Sequence, residues 1–193
     1  TLSTALTANN TSGGGGALTL QAGRSIFLND SIVTDNGNLT LTANETTANG
    51  VLDAHRDSGA AVITMLSEKT IDAGSGEVSI TLADGAGKTY TESGAVTLQG
   101  IAAGSLTVSN QGPTAGSGIS LGATTLSGNL TLTAAKGDIA QTDALSVAGT
   151  TSLTAGANDI TLNNAANDFT GAVSIVSGGT VGLKDANSLT LGT

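Results

Sequence analysis

The sequence predicts an all-β protein, a right-handed parallel β-helix with about 22 residues and three short strands per coil and a few loop insertions. Between Gly128 and Thr193 the chain repeats itself three times, at 128–149, 150–171 and 171–193. Within each repeat, apolar residues alternate with small polar ones, as in a strand with one buried face. Glycine contributes 28 of the 193 residues and proline contributes 1, a composition typical of strands and turns.

The first predicted coil lies at 16–36, with strands centred on Leu18, Ile26 and Ile32. The alternation of apolar and polar residues then begins again at 37–44, in the segment GNLTLTAN. Because one repeat cannot bury its apolar face alone, successive coils must stack and pair equivalent strands in parallel. Right-handed winding is expected, since a left-handed β-helix typically shows a strict six-residue period, which this chain lacks.

Three segments break the alternation. Residues 45–60 are predicted to be an inserted loop at a corner, and 84–94 and 109–118 are predicted to be irregular turns. Between them the alternation resumes at AVITML, EVSITL, AVTLQG, SLTVSN and GISLG. At about 22 residues per coil the chain corresponds to roughly eight coils, a rod about 40 Å long.

The three carboxyl-terminal repeats each contain three predicted strands. Their centres are Leu130, Ile139 and Leu145, then Leu153, Ile160 and Phe169, then Val173, Val181 and Leu189. We therefore expect 1–193 to be a single β-helix segment of a longer solenoid, because a complete solenoid needs polar caps on its end coils.

Charge and composition exclude several classes of partner. Six basic residues face fifteen acidic ones, for a net charge of −9, so the surface is poorly suited to bind nucleic acid. No apolar run has membrane-spanning length, and we expect no membrane insertion. Cysteine is absent, which excludes disulfides and thiolate metal sites.

Several phrases carry a family resemblance: GNLTLTA at 37–43 and 128–134, GDIAQTDALSVAGTTSLTAGANDITL at 137–162, and NDFTGAVSIVSGGTVGLKDANSLTLG at 167–192. They resemble the repeat region of filamentous haemagglutinin-like exoproteins, the large adhesins that Gram-negative bacteria export by two-partner secretion. The resemblance implies a right-handed β-helix that is secreted or displayed on the cell surface. The family's secretion domain is not matched, so no residue is assigned an export role.

Some parallel β-helices are polysaccharide lyases or hydrolases, whose chemistry needs two or three carboxylates on neighbouring coils. Asp138 and Asp159 are the candidates, because each precedes an inward Ile at the start of the second strand of its coil. An Asp that begins a turn and bonds the local backbone is the competing interpretation, and we predict no catalytic residue. The enzyme alternative requires Asp138, Asp159 and Asp185, or the segment DAHRD at 53–57, to line one groove.

The segment DAHRD contains Asp53, His55, Arg56 and Asp57, the richest chemical cluster in the chain. Without a second His or any Cys it does not complete a zinc site, so we predict a solvated loop that serves as a possible recognition surface. Calcium would find oxygen ligands in DNGN at 35–38 and NNAAND at 163–168, but the glycine-aspartate nonapeptide of calcium-binding solenoids is missing. No metal or cofactor is predicted.

Two further patterns are explained by composition. Thr-x-Thr pairs would have to occur in nearly every coil to bind ice, and they occur only at Thr40/Thr42, Thr89/Thr91 and Thr131/Thr133. The acceptor triplet for N-glycosylation begins at Asn9, Asn10, Asn29, Asn38, Asn44 and Asn129.

These observations favour a non-enzymatic structural and adhesive segment, a rigid rod that supports attachment to a host or neighbouring cell. The expected partners are a host or bacterial cell-surface receptor or glycan, and the adjoining β-helix coils of the parent chain. The alternatives are a carbohydrate-processing β-helix enzyme and a purely passive spacer.

Overall fold

The computed structural model describes residues 1–8, 14–46 and 51–193. The predicted parallel β-helix with three strands per coil is confirmed, because the described strands form three sheets of seven strands each and every strand pair within them is parallel. Asn9, Asn10 and residues 47–50 of the predicted inserted loop lie outside the described residues.

Each sheet takes every third strand of the chain. Sheet A consists of β3 (Ile26–Leu28), β6 (Ala61–Met65), β9 (Ser93–Leu98), β12 (Ile119–Leu121), β15 (Ile139–Gln141), β18 (Ile160–Leu162) and β21 (Val181–Leu183). Sheet B consists of β1 (Leu6–Thr7), β4 (Ile32–Val33), β7 (Thr70–Asp72), β10 (Gly100–Ala103), β13 (Thr124–Leu126), β16 (Leu145–Val147) and β19 (Asp168–Phe169). Sheet C consists of β2 (Leu18–Gln21), β5 (Leu39–Ala43), β8 (Glu77–Leu82), β11 (Ser105–Asn110), β14 (Leu130–Ala134), β17 (Thr151–Thr154) and β20 (Val173–Ser177).

The core is a set of aliphatic ladders that run along the stack of coils. Leu41, Ile80, Val108, Leu132 and Leu153 occupy equivalent positions on five successive strands of sheet C, and all are fully buried. Alternation within each strand places the neighbouring Thr and Ser residues on the outer face. The same residues that pair their backbones therefore also pack their side chains one coil apart.

Thr151 interrupts a neighbouring ladder, between Leu130 and Val173. It is 1% exposed, and its hydroxyl oxygen has no hydrogen-bond partner among the described residues. Because an unpaired buried hydroxyl is destabilising, we expect Thr151→Val to raise the free energy of unfolding by about 1 kcal/mol in urea melts. Thr133→Val, on the outer face of β14, is the control and should change stability little; an equal effect of both variants would contradict the explanation.

The structure corrects two expectations about coil number and strand position. The described strands form seven coils rather than eight, because the coil from Leu39 to Val78 takes 39 residues and the next, from Val78 to Leu106, takes 28. The third strand predicted at Leu189 is wrong. Leu191 instead bridges to Val173 of sheet C, which agrees with the similarity of SLTLG to the LTLT phrases of that sheet.

Candidate functional site

Three insertions lie at one corner of the β-helix, where the chain passes from sheet C to sheet A. Their described residues are 44–46 and 51–60 between β5 and β6, 83–92 between β8 and β9, and 111–118 between β11 and β12. At the same corner of a regular coil, only residues 135–138 separate β14 from β15. We name the described part of these segments, residues 44–46, 51–60, 83–92 and 111–118, the corner ridge.

The first two segments of the corner ridge are joined by hydrogen bonds. The Asp53 carboxylate accepts from the backbone N–H of Thr89 at 2.8 Å and from its hydroxyl at 3.0 Å. Lys88 Nζ donates to the Val51 carbonyl at 3.4 Å. Because parallel pairing stacks the coils, segments more than 30 residues apart in sequence become a continuous surface.

Three buried side chains beneath the corner ridge form what we name the arginine clasp: Arg24, Asn44 and Arg56. Arg24 is 7% exposed, Arg56 is 6% exposed and Asn44 is fully buried. Arg24 Nη1 and Arg56 Nη2 each donate to Asn44 Oδ1 at 2.7 Å. Arg24 also donates to the carbonyls of Asp57, Gly59, Tyr90 and Glu92, and Arg56 to those of Gly23, Glu45, Thr89 and Tyr90.

The arginine clasp places two positive charges close together in a poorly solvated position. Burial, and next the neighbouring Arg56, lower the pKa of Arg24, while Glu92 and Asp57 act in the opposite direction. Arg24 nevertheless keeps its charge at neutral pH, because guanidinium is a very weak acid. The charge-assisted bonds of the clasp to carbonyls therefore hold the first two ridge segments against the first coil.

The four predicted recognition residues divide into two groups. Asp53 and His55 lie on a short 3-10 helix, Asp53–His55, and together with Asp57 they are exposed. Arg56 belongs to the arginine clasp, where its guanidinium bonds backbone carbonyls beneath the surface. A recognition role for Asp53, His55 and Asp57 stays a prediction, whereas Arg56 positions the segment that carries them.

We expect the contact between Asp53 and Thr89 to depend on pH. The backbone N–H of Thr89 is the largest cause that holds the pKa of the Asp53 carboxyl below its usual value. Because the folded-state pKa is the lower one, the contact contributes fully above the ordinary pKa of about 3.9 and is lost as pH falls through the lowered value. We expect hydrogen-exchange protection of the Thr89 amide, corrected for intrinsic rates, to fall over that range. In Asp53→Asn the protection of the Thr89 amide should no longer change with pH. If protection in the parent chain were independent of pH, the role given to the Asp53 carboxylate would be contradicted.

Tyr90 has an unusual backbone conformation for a large residue. Its φ is +55°, in the left-handed region, and its side chain is 45% exposed. Bonds from both arginines to its carbonyl hold the backbone there. We expect Tyr90→Gly to raise the free energy of unfolding by about 1 kcal/mol, because glycine adopts this region without a steric penalty. Thr91 does not have a positive φ, so Thr91→Gly should lower the free energy of unfolding. A loss of stability in Tyr90→Gly would contradict the argument.

A cleft of about 1000 Å³ lies between the first coil and the first segment of the corner ridge. Phe27 and Leu52 supply exposed apolar surface there, at 41% and 55% exposure. Gln21, His55 and Asp57 add polar groups to the lining. The arrangement combines one aromatic ring with several hydrogen-bonding side chains.

The enzyme alternative named two sets of residues, and the structure separates them. Residues 55–57 of the DAHRD segment line the cleft, whereas Asp138, Asp159 and Asp185 do not meet in one groove. Asp138 accepts from the backbone N–H of Asp159 at 2.9 Å, and Asp159 accepts from that of Thr180 at 2.7 Å. Each thus bonds the next coil at the turn before a strand of sheet A. Asp185 follows β21, at the other end of a sheet A strand, near the Phe169 backbone.

The oxygen-rich segments considered for calcium also contact protein groups. Asn36 accepts from Ser75, and Asn38 from Glu77, each one coil further along. Asn167 is buried and bonds Gln141 and the Leu145 N–H. Among the described residues, no three His, Asp or Glu side chains are grouped as a metal site requires.

The structure brings two of the three Thr-x-Thr pairs onto one face. Thr40/Thr42 and Thr131/Thr133 lie on sheet C, whereas Thr89/Thr91 belongs to the corner ridge. The strand register also shows a row of Thr and Ser side chains along sheet C, which the alternation within single strands did not show. Its members are Thr19, Thr40, Ser79, Thr107, Thr131, Ser152 and Ser174.

The fold and the corner ridge define the class of protein: a solenoid repeat protein of the parallel β-helix type, with insertions gathered on one corner. Residues 113–176 match a family described as repeats of unknown function (DUF5649). The match covers the most regular coils, from the end of the corner ridge into β20. No curated protein and no solved structure matches the chain. Within the described ranges, no helix has the length and apolar character needed to span a membrane.

Sequence reasoning missed Arg24, Asn44, Phe27 and Tyr90 as parts of the site. Two signals pointed to them. Arg24 and Arg56 are the two arginines of the chain, and Phe27 and Tyr90 are two of its three aromatic residues. Their meeting at one corner depends on pairing between coils, which composition does not show.

Proposed function

We propose that this chain is a structural and adhesive segment of a secreted surface exoprotein of a Gram-negative bacterium, related to the filamentous haemagglutinin-like adhesins of two-partner secretion. The observation that carries the proposal is the gathering of three insertions into the corner ridge, on an otherwise regular β-helix. The regular coils supply a stiff support, and the corner ridge supplies the surface that contacts a receptor or glycan on another cell.

Two features of the site support recognition through the corner ridge. The arginine clasp fixes the backbone of the first two ridge segments, so less conformational entropy is lost when a partner binds there. Two carboxylates, Asp53 and Asp57, and one imidazole, His55, are exposed on that fixed backbone. The remainder of the surface is rich in Thr, Ser and Asn, which repeat from coil to coil and discriminate poorly between partners.

The test is attachment of protein-coated beads to epithelial and bacterial cells under flow. The ridge variant carries Asp53→Asn, His55→Ala and Asp57→Asn and leaves Arg56 in place. The matched control carries Glu68→Gln and Asp143→Asn, at exposed positions outside the corner ridge. We expect the parent and the control to retain beads and the ridge variant to lose most of them. Equal retention of all three proteins, or of none above uncoated beads, would contradict the proposal and favour a passive spacer.

A further inference from the structure

We infer that the cleft beside the corner ridge binds a neutral saccharide, with Phe27 as the surface on which a sugar ring stacks. The inference rests on the proposed function and names the ligand class of its recognition surface. The cleft has a volume of about 1000 Å³, large enough for a small oligosaccharide. It lies between the outer face of β3, the turn at 22–25 and the segment 51–58.

Phe27 breaks the polar pattern of the outer face of sheet A. Its register partners on successive coils are Thr64, Thr97 and Ser120. A ring that is 41% exposed contributes little core packing, and the chain has only three aromatic residues. An exposed aromatic ring inside a cleft is well suited to ligand contact, because it presents a large apolar area at a small entropic cost.

The walls of the cleft are held in place before any ligand binds. Arg24 and Arg56 form part of the lining and bond the carbonyls of Asp57 and Gly23, which flank the cleft. Both guanidinium groups already donate to backbone carbonyls and to Asn44. Neither therefore has a free pair of N–H groups with which to bind a phosphate or a carboxylate. The clasp therefore shapes the cleft and does not select an anion.

The remaining chemistry of the lining matches a sugar. The C–H face of a pyranose ring complements the negative face of Phe27, and Leu52 extends the apolar surface. The side chains of Gln21, His55 and Asp57 supply donors and acceptors for hydroxyl groups. A wholly apolar ligand would leave these polar groups unpaired, which costs affinity.

The test uses a printed array of neutral oligosaccharides (N-acetyllactosamine, cellobiose, mannotriose) and sulfated heparin fragments, followed by titration with the neutral glycan that gives the highest signal. We expect Phe27→Ala to bind that glycan about ten-fold more weakly than the parent chain. Val176→Ala is the matched control, because Val176 is an apolar side chain that is 66% exposed and lies outside both the cleft and the corner ridge. It should bind like the parent, and thermal melts of both variants should show folded protein.

The outcomes separate this inference from the proposed function. Beads that attach to cells while no neutral glycan binds, or while Phe27→Ala binds like the parent, would overturn the saccharide cleft and leave adhesion standing. Binding to heparin fragments alone, abolished by salt, would overturn it by showing charge recognition. Neutral glycan binding that depends on Phe27 supports the cleft even if beads fail to attach to the cells tested.

Discussion

Asn44→Ala is expected to lower the free energy of unfolding by about 3 kcal/mol, because one amide group satisfies four partners in a buried position. Its oxygen accepts from both arginines at 2.7 Å. Its nitrogen donates to the Ala83 carbonyl at 3.0 Å and approaches that of Thr91 at 3.5 Å. Alanine leaves two guanidinium groups of like charge without their shared acceptor, and it removes the amide bonds that join the first ridge segment to the second.

Urea denaturation measures the global loss, and hydrogen exchange of residues 84–92 measures the local release. Asn38→Ala is the matched control on the opposite end of the same strand. Asn38 is exposed and its oxygen accepts from the Glu77 N–H at 2.9 Å, so its loss should cost under about 1 kcal/mol. Equal stability of the two variants, with unchanged exchange at 84–92, would show that the arginine clasp does not hold the corner ridge.

Phe169→Ala is expected to cost about 3–5 kcal/mol, because Phe169 is the buried aromatic residue of a core made otherwise of aliphatic side chains. Phe169 is 1% exposed and pairs with Val147 of the preceding coil. The stack of thin coils collapses poorly around a missing ring, since each coil touches only its neighbours. We expect the last coils to unfold first, with proteolytic cleavage after β18 preceding cleavage near the amino terminus.

Phe27→Ala provides the comparison, because it removes the same ring from a position that is 41% exposed. Its cost should stay below about 1 kcal/mol. Phe169→Leu should fall between the two, at about 1 kcal/mol, since most of the volume is kept. If Phe169→Ala lowered the free energy of unfolding by no more than Phe27→Ala does, the packing argument would be contradicted.

Local alternation predicted the regular coils well. Strands expected at Leu130, Ile139, Leu145, Ile160 and Val181 all lie within observed strands. The short strands of sheet B were harder to find from sequence. β7, β10 and β13 contain three or four residues each with few large apolar side chains, so their period-two signal is weak, and they form because the flanking strands of their coil place them in register.

The sequence alone determined that the chain winds as stacked coils of three strands, because alternation and turn residues are properties of a few neighbouring positions. It also marked where the repeat is broken. Only the tertiary structure decided that the three insertions share one corner and that Arg24, Asn44 and Arg56 meet beneath them. The physical reason is parallel pairing: register between coils of 28 to 39 residues is set by core ladders, and it brings together side chains that no local pattern connects.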